Sequence, residues 1–147
     1  MPAHDDLAAP FRPRLARAVT LTVAVAVLVL TVVLVLTMPG LAVLDQIGFA
    51  LFGLAIVWFC WRQASVVAVP DATGLRVRNL LVTRHVTWAE IVSVRFGQGR
   101  PWVQLDLADG DTLAVMGVQR ADGERAEREA RRLATLVARR SATPTDD

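Results

Sequence analysis

Hydrophobic and polar positions follow three successive periods along the chain. From Ala18 to Met38 the residues read AVTLTVAVAVLVLTVVLVLTM, 21 positions without a charge. After Pro39-Gly40, a turn dipeptide, a second apolar run extends from Leu41 to Trp61 and is interrupted at Asp45-Gln46. Residues 65–118 alternate with a period of two, and residues 122–140 repeat at three- and four-residue spacing. The first run predicts a membrane-spanning helix, since about 20 apolar residues at 1.5 Å rise cross the hydrocarbon core. Its many valines favour a strand locally, but an isolated strand in lipid leaves its backbone unsatisfied. Thr20, Thr22, Thr31 and Thr37 can bond back to their own helix. A cleaved signal peptide is the alternative. Its apolar core would span about 7–15 residues and precede a small-x-small site, whereas this run is longer and no such site follows. The second run predicts a helix over 42–61, with Trp58 and Trp61 as interfacial anchors. Its uninterrupted part, Ile47–Trp61, has 15 residues, so a re-entrant or surface-lying segment competes with a full span. The short turn predicts an antiparallel hairpin over 18–61.

The alternating stretch predicts about six short strands. Ser65–Val69 is the first, followed by the turn signal Asp71-Ala72-Thr73-Gly74. Leu75-Arg76-Val77-Arg78 places both arginines on one face. Leu81–Trp88 alternates more weakly, with Val82, Val86 and Trp88 expected inward. Ala89-Glu90-Ile91 predicts a tight corner. Val92, Val94 and Phe96 then face one way, with Ser93 and Arg95 facing the other. Val103, Leu105 and Leu107 are expected inward, as are Leu113 and Val115 across the Asp109-Gly110 hairpin signal. Turns at 8–12 residue spacing suit a small barrel or sandwich. In the closing helix, Asp122 is the expected N-cap, and Ala126, Ala130, Leu133, Ala134 and Val137 form one apolar stripe. The expected core includes Trp88, Ile91, Val94, Phe96, Leu105 and Leu133.

These periods divide the chain into four parts. Residues 1–17 form a disordered tail with juxtamembrane arginines, 18–61 a transmembrane hairpin, 62–140 a folded domain and 141–147 a second disordered tail. Composition fits the division. The chain is 54% hydrophobic with a mean hydropathy of +0.43, but residues 62–147 hold 13 of its 16 arginines and 11 of its 14 acids. The apolar excess therefore belongs to the hairpin. Arg12, Arg14, Arg17 and Arg62 flank the apolar block, whereas its connecting loop carries only Asp45. Positive flanks favour the cytoplasmic side, so both termini are expected inside, on a multi-pass plasma-membrane protein. A net charge of +2 gives little support to nucleic-acid binding.

Candidate chemistry is sparse. All basic residues are arginine, which removes lysine chemistry such as a Schiff base. Cys60 has no cysteine partner and lies in an apolar run, where it packs as a small filler. His85 alternates outward on a strand, and Ser65 and Ser93 lack a nucleophile-elbow context. Asp106, Asp109 and Asp111 lack the remaining ligands of a calcium loop and read as turn residues. No catalytic residue, cofactor site or metal site is expected. A sheet edge remains open to a protein partner by strand addition, with Trp102 and Met116 on outward positions or beneath the final helix. Oligomeric state is not legible, and no Gly-x-x-x-Gly frame occurs in 47–61.

The order of two helices, short antiparallel strands and one amphipathic helix resembles the actinobacterial PH-domain membrane proteins, the family named for low molecular weight protein antigen 6. The resemblance is carried by the hairpin 18–61, by Thr73-Gly74-Leu75-Arg76-Val77-Arg78-Asn79, and by Thr87-Trp88-Ala89-Glu90-Ile91 with Val94 and Phe96. It covers about residues 15–140. It implies an α+β PH-like domain, a small bent antiparallel barrel or sandwich capped by the C-terminal helix, beside the membrane hairpin. Function is not implied by fold. The expected function is a membrane-anchored, non-enzymatic binding or adaptor module facing the cytoplasm. The alternative is an anionic-lipid head-group sensor using Arg76, Arg78, Arg84, Arg95 and Arg100. Near an anionic leaflet each arginine is worth about 1 kcal/mol, but Asp71, Glu90 and Asp106 interleave with them, so they also read as the solvated face of a sheet.

Overall fold

The computed structural model describes residues 7–97 and 99–142, which divide into two compact units. One unit runs from Leu15 to Ser65. Its helices are α1 (Leu15–Thr37) and α2 (Val43–Ala64). At 1.5 Å per residue each is about 33–35 Å long, and both are long and apolar enough to cross a membrane. Their side chains point outward rather than into a core: Leu36 is 77% exposed, Leu44 79% and Trp61 67%. The hydroxyls of Thr20, Thr22 and Thr37 donate to carbonyls one turn back. Asp45, which interrupts the second apolar run, sits in the first turn of α2, where a carboxylate complements the helix dipole. Gly53 lies against Thr31 so closely that an added Cβ would fall 2.8 Å from the Thr31 Cγ2. The two helices therefore touch where only hydrogen fits.

The other unit holds two antiparallel three-stranded sheets and a final helix. Sheet A contains β1 (Val67–Pro70), β2 (Gly74–Arg78) and β3 (Thr83–Thr87) in that order. A 3-10 turn (Trp88–Glu90) leads to sheet B, which contains β4 (Ile91–Arg95), β5 (Trp102–Leu107) and β6 (Thr112–Gln119). A second 3-10 turn (Arg120–Asp122) precedes α3 (Glu124–Ser141). Leu75, Val77 and Val86 from sheet A meet Val103, Leu105 and Val115 from sheet B, and Leu133 of α3 joins them, all at most 1% exposed. Among the described residues the two sheets share no ladder, so the expected barrel is not closed. The domain is a bent sandwich with α3 packed on its core. Gly117 of β6 lets the sheets approach on one side, because a Cβ there would meet the Phe11 carbonyl oxygen at 2.6 Å.

Four expectations are corrected. The N-terminal segment is not disordered where it is described. Phe11 is fully buried, and it exchanges backbone hydrogen bonds with Ala68 at 2.8 and 3.0 Å. Arg132 of α3 lies 3.9 Å above the Phe11 ring. Val82 and Val92 face solvent, at 58% and 66% exposure. Val82 precedes β3, and Val92 is the extra residue of a bulge between Ile91 and Ser93, which breaks simple alternation. Asp122 does not cap α3: Gly123 holds the N-cap position, and the Asp122 carboxylate accepts from the Arg14 N–H at 2.9 Å. Ala134 is exposed, and Leu136 takes its place among the buried residues of α3. The final tail beyond Ala142 lies outside the described residues.

Candidate functional site

The five arginines do not assemble into one site. Cross-strand register puts Arg76 opposite Val69 and His85, and Arg78 opposite Val67 and Thr83, so both lie on the exposed face of sheet A. Arg84 is paired with Val77 in the inward register, but it sits on the edge strand and reaches Asp109 and Asp111 at 3.5 and 3.6 Å. It therefore ties sheet A to the β5–β6 turn. Arg95 pairs with Asp106, which also accepts from the Ser93 hydroxyl, and Arg100 bonds Gln104. The Ser93 hydrogen bond, with help from Arg95, holds the Asp106 carboxyl below the usual carboxylate range.

Two further carboxylates are held low for local structural reasons. Asp71 accepts from the Thr73 hydroxyl, the Thr73 and Gly74 N–H groups, all at 2.8 Å, and the His85 ring at 3.0 Å. These bonds, the Thr73 hydroxyl first, depress its pKa strongly. Glu90 accepts from the Thr87 N–H and hydroxyl, which lower its pKa in the same way. Thr73, His85 and Asp71 together do not make a relay. Both contacts of the imidazole use Nε2, so the ring cannot be oriented by Asp71 through one nitrogen while the other takes the Thr73 proton. Among the described residues no three His, Cys, Asp or Glu side chains gather as a metal site.

A concave feature of the domain lies elsewhere, between β4 and α3. It is a groove of about 540 Å³. Val94 and Phe96 form one wall, and Ala130 and Ala134 form the other. Arg120, Glu127 and Arg131 lie along its rim. A smaller hollow, lined by Arg95 and Arg100, shares Val94, Phe96 and Gly97 with it. β4 is the outer strand of sheet B, with β5 on one side and no strand on the other among the described residues. The groove thus joins an apolar floor, a free strand edge and an arginine-rich rim. The sequence carried a signal for it. Ala130 and Ala134 are small residues one helical turn apart, and small side chains on a packed face leave room. Both read as part of the core stripe, because three- and four-residue periodicity does not tell a covered face from a groove wall; Ala130 is buried in it, whereas Ala134 is exposed. Val94 and Phe96 were expected in the core; they are partly buried and pack against it from the groove side. Trp88, Ile91, Leu105 and Leu133 are buried.

This architecture is that of a PH-like domain, and the family model for the bacterial PH domain matches residues 65–135. That segment is similar to the bacterial PH-domain family, in line with the resemblance read from the Thr87–Ile91 corner and its flanking strands. The chain is similar to the uncharacterized proteins Rv1417 and MT1460 of Mycobacterium tuberculosis and Mb1452 of Mycobacterium bovis. Each is 35% identical over 95 residues, covering 65% of this chain and 62% of the relative. The match therefore spans less than two thirds of those relatives. No solved structure matches the chain. PH domains are in general non-catalytic binding modules, often for lipids or proteins.

Proposed function

We propose that the chain is a membrane-anchored adaptor without enzymatic activity, whose PH-like domain faces the cytoplasm. In this reading the domain captures an extended acidic segment of a partner protein in the groove between β4 and α3. The groove carries the proposal. An extended segment can add to the free edge of β4, where main-chain bonds supply affinity and alternate side chains enter the apolar floor. Arg120 and Arg131 on the rim stand against one acid there, Glu127, which pairs with Arg131. Complementary charge favours an acidic strand and speeds its encounter. The head-group reading has less support, since Arg84, Arg95 and Arg100 are engaged within the domain and only Arg76 and Arg78 share an exposed face.

The anchor is the helical hairpin. Arg12, Arg14, Arg17 and Arg62 flank it, and positive flanks stay inside. The Phe11–Ala68 pairing supports the same arrangement. Phe11 lies four residues before α1 and Ala68 four residues after α2, so both junctions belong to one side, as an even number of crossings requires.

The test is a random-peptide display selection on the full chain held in lipid nanodiscs. Selected peptides should be acidic with alternating apolar positions, and Ala134→Trp, which fills the groove from an exposed position, should abolish their binding. Peptides without acidic enrichment, or equal binding to the Ala134→Trp protein, would sink the reading.

A further inference from the structure

The turn between β2 and β3 presents apolar side chains to solvent with no cover. Leu81 is 77% exposed and Val82 58% exposed. Elsewhere in this domain, among the described residues, Val92 is the other large apolar side chain so exposed. The turn is firmly held. The Asn79 N–H donates to the Val82 carbonyl at 2.9 Å, the Asn79 Nδ2 donates to the Ala114 carbonyl at 2.8 Å, and the Met116 N–H donates to the Asn79 Oδ1 at 3.2 Å. Its tip is thus a fixed surface carrying two adjacent exposed apolar side chains.

Register and connectivity say what covers it. Arg78, the last residue of β2, is opposite Val67. Val67 comes three residues after α2 ends at Ala64, at most about 11 Å of extended chain. The turn 79–82 therefore lies at the end of sheet A that joins the helical hairpin. The β1–β2 turn, Asp71–Thr73, lies at the opposite end. Phe11 is bonded to Ala68, so the chain also leaves for α1 from that region.

We propose that Leu80-Leu81-Val82 is a wedge that enters the boundary between head groups and acyl chains of the membrane holding α1 and α2. Arg78 stands at its base, and a short apolar tip beside a cation is the composition of an interfacial contact. The hairpin and the wedge together make two separated attachments, which restrict how the domain can turn on its tether. The groove between β4 and α3 would then be presented in a restricted orientation. This proposal rests on the reading of the hairpin as a membrane anchor.

The experiment uses the full chain with Cys60→Ala, reconstituted in vesicles of phosphatidylethanolamine and phosphatidylglycerol. Single cysteines are placed by Leu81→Cys, Val82→Cys, Ala72→Cys or Val29→Cys and labelled with a polarity-sensitive fluorophore. Nitroxide groups on the lipids, shallow or deep, act as quenchers. Probes at positions 81 and 82 should emit to the blue and be quenched most by the shallow nitroxide. The probe at position 72, at the far end of β2, should emit as in water. The probe at position 29 should be quenched by the deep nitroxide. If position 29 is quenched while 81 and 82 emit like 72, the wedge is wrong and the anchor stands. If 72 is quenched as strongly as 81, the contact is not confined to the tip and the wedge is wrong. If 29 is not quenched, the anchor falls, and the wedge falls with it.

Discussion

Asp71 shows how one residue can be legible in type and not in task. Asp71-Ala72-Thr73-Gly74 was readable as a turn, because a short carboxylate accepts from N–H groups two and three residues on. The cross-strand contact to His85 was not readable. It needs β2 and β3 in register, with His85 opposite Arg76. The bonds to Asp71 depress its pKa in the folded state, and this dictates a sign. The unfolded carboxyl binds a proton more readily, so the contribution to stability is complete above the unfolded value. It is lost as pH falls from about 4 through the lowered folded value. Asp71→Asn should therefore be less stable than wild type at neutral pH and should show a shallower loss on acidification. Urea unfolding followed by near-ultraviolet circular dichroism at several pH values reads this directly, and parallel pH curves for the two proteins would refute it. Trp88 was a simpler case. It was expected inward, and it is 5% exposed with its indole N–H on the Asp71 carbonyl at 3.1 Å.

The strands were legible where each face has a single environment. In β5 the inward residues Val103, Leu105 and Leu107 alternate with half-buried polar ones, and the observed register keeps that alternation. The reading failed where geometry departs from two-residue repeat. The bulge between Ile91 and Ser93 turned Val92 outward, and a bulge is not encoded by hydrophobicity. The β2–β3 hairpin adds a second lesson. Asn79 directly follows β2, and its side-chain amide joins both the Ala114 carbonyl and the Met116 N–H. That clasp attaches sheet A to β6, the outer strand of sheet B opposite β4. Asn79→Ala should leave both groups unpaired and cost roughly 1–3 kcal/mol. Hydrogen exchange of the Met116 amide should quicken, while that of the Leu105 amide in the centre of sheet B changes less. Unchanged exchange at Met116 would show that the clasp contributes nothing.

The domain as a whole is discontinuous. Its core needs Phe11 from before the hairpin as well as the strands after it. The family match begins at residue 65 and so leaves Phe11 out. Removing a buried phenylalanine typically costs about 3–5 kcal/mol, a large share of a small domain's stability. A fragment of residues 65–147 should accordingly be unstable or fail to fold. A chain in which a short Gly/Ser linker replaces residues 15–65 should fold, since it keeps Phe11 beside Ala68. Comparing the two by amide NMR dispersion tests this. Equal, well-dispersed spectra would mean that Phe11 is dispensable.

Local period and hydropathy are properties of neighbouring residues, and what rests on them was written into the chain. They marked two helices long enough for a bilayer, about six strands, a closing amphipathic helix and the corner around Trp88. They also placed the apolar excess in one block and the charge in another. What they could not mark depends on residues far apart in the chain. The Asn79 clasp joins positions 35 apart, and the Arg14–Asp122 bond joins positions 108 apart. No local pattern announces such pairs, because each side chain has the same neighbours in sequence whether or not its partner arrives. Packing alone made Phe11 part of the core and tied Arg84 to Asp109 and Asp111. Packing also left the edge of β4 facing the alanines of α3 across an open groove.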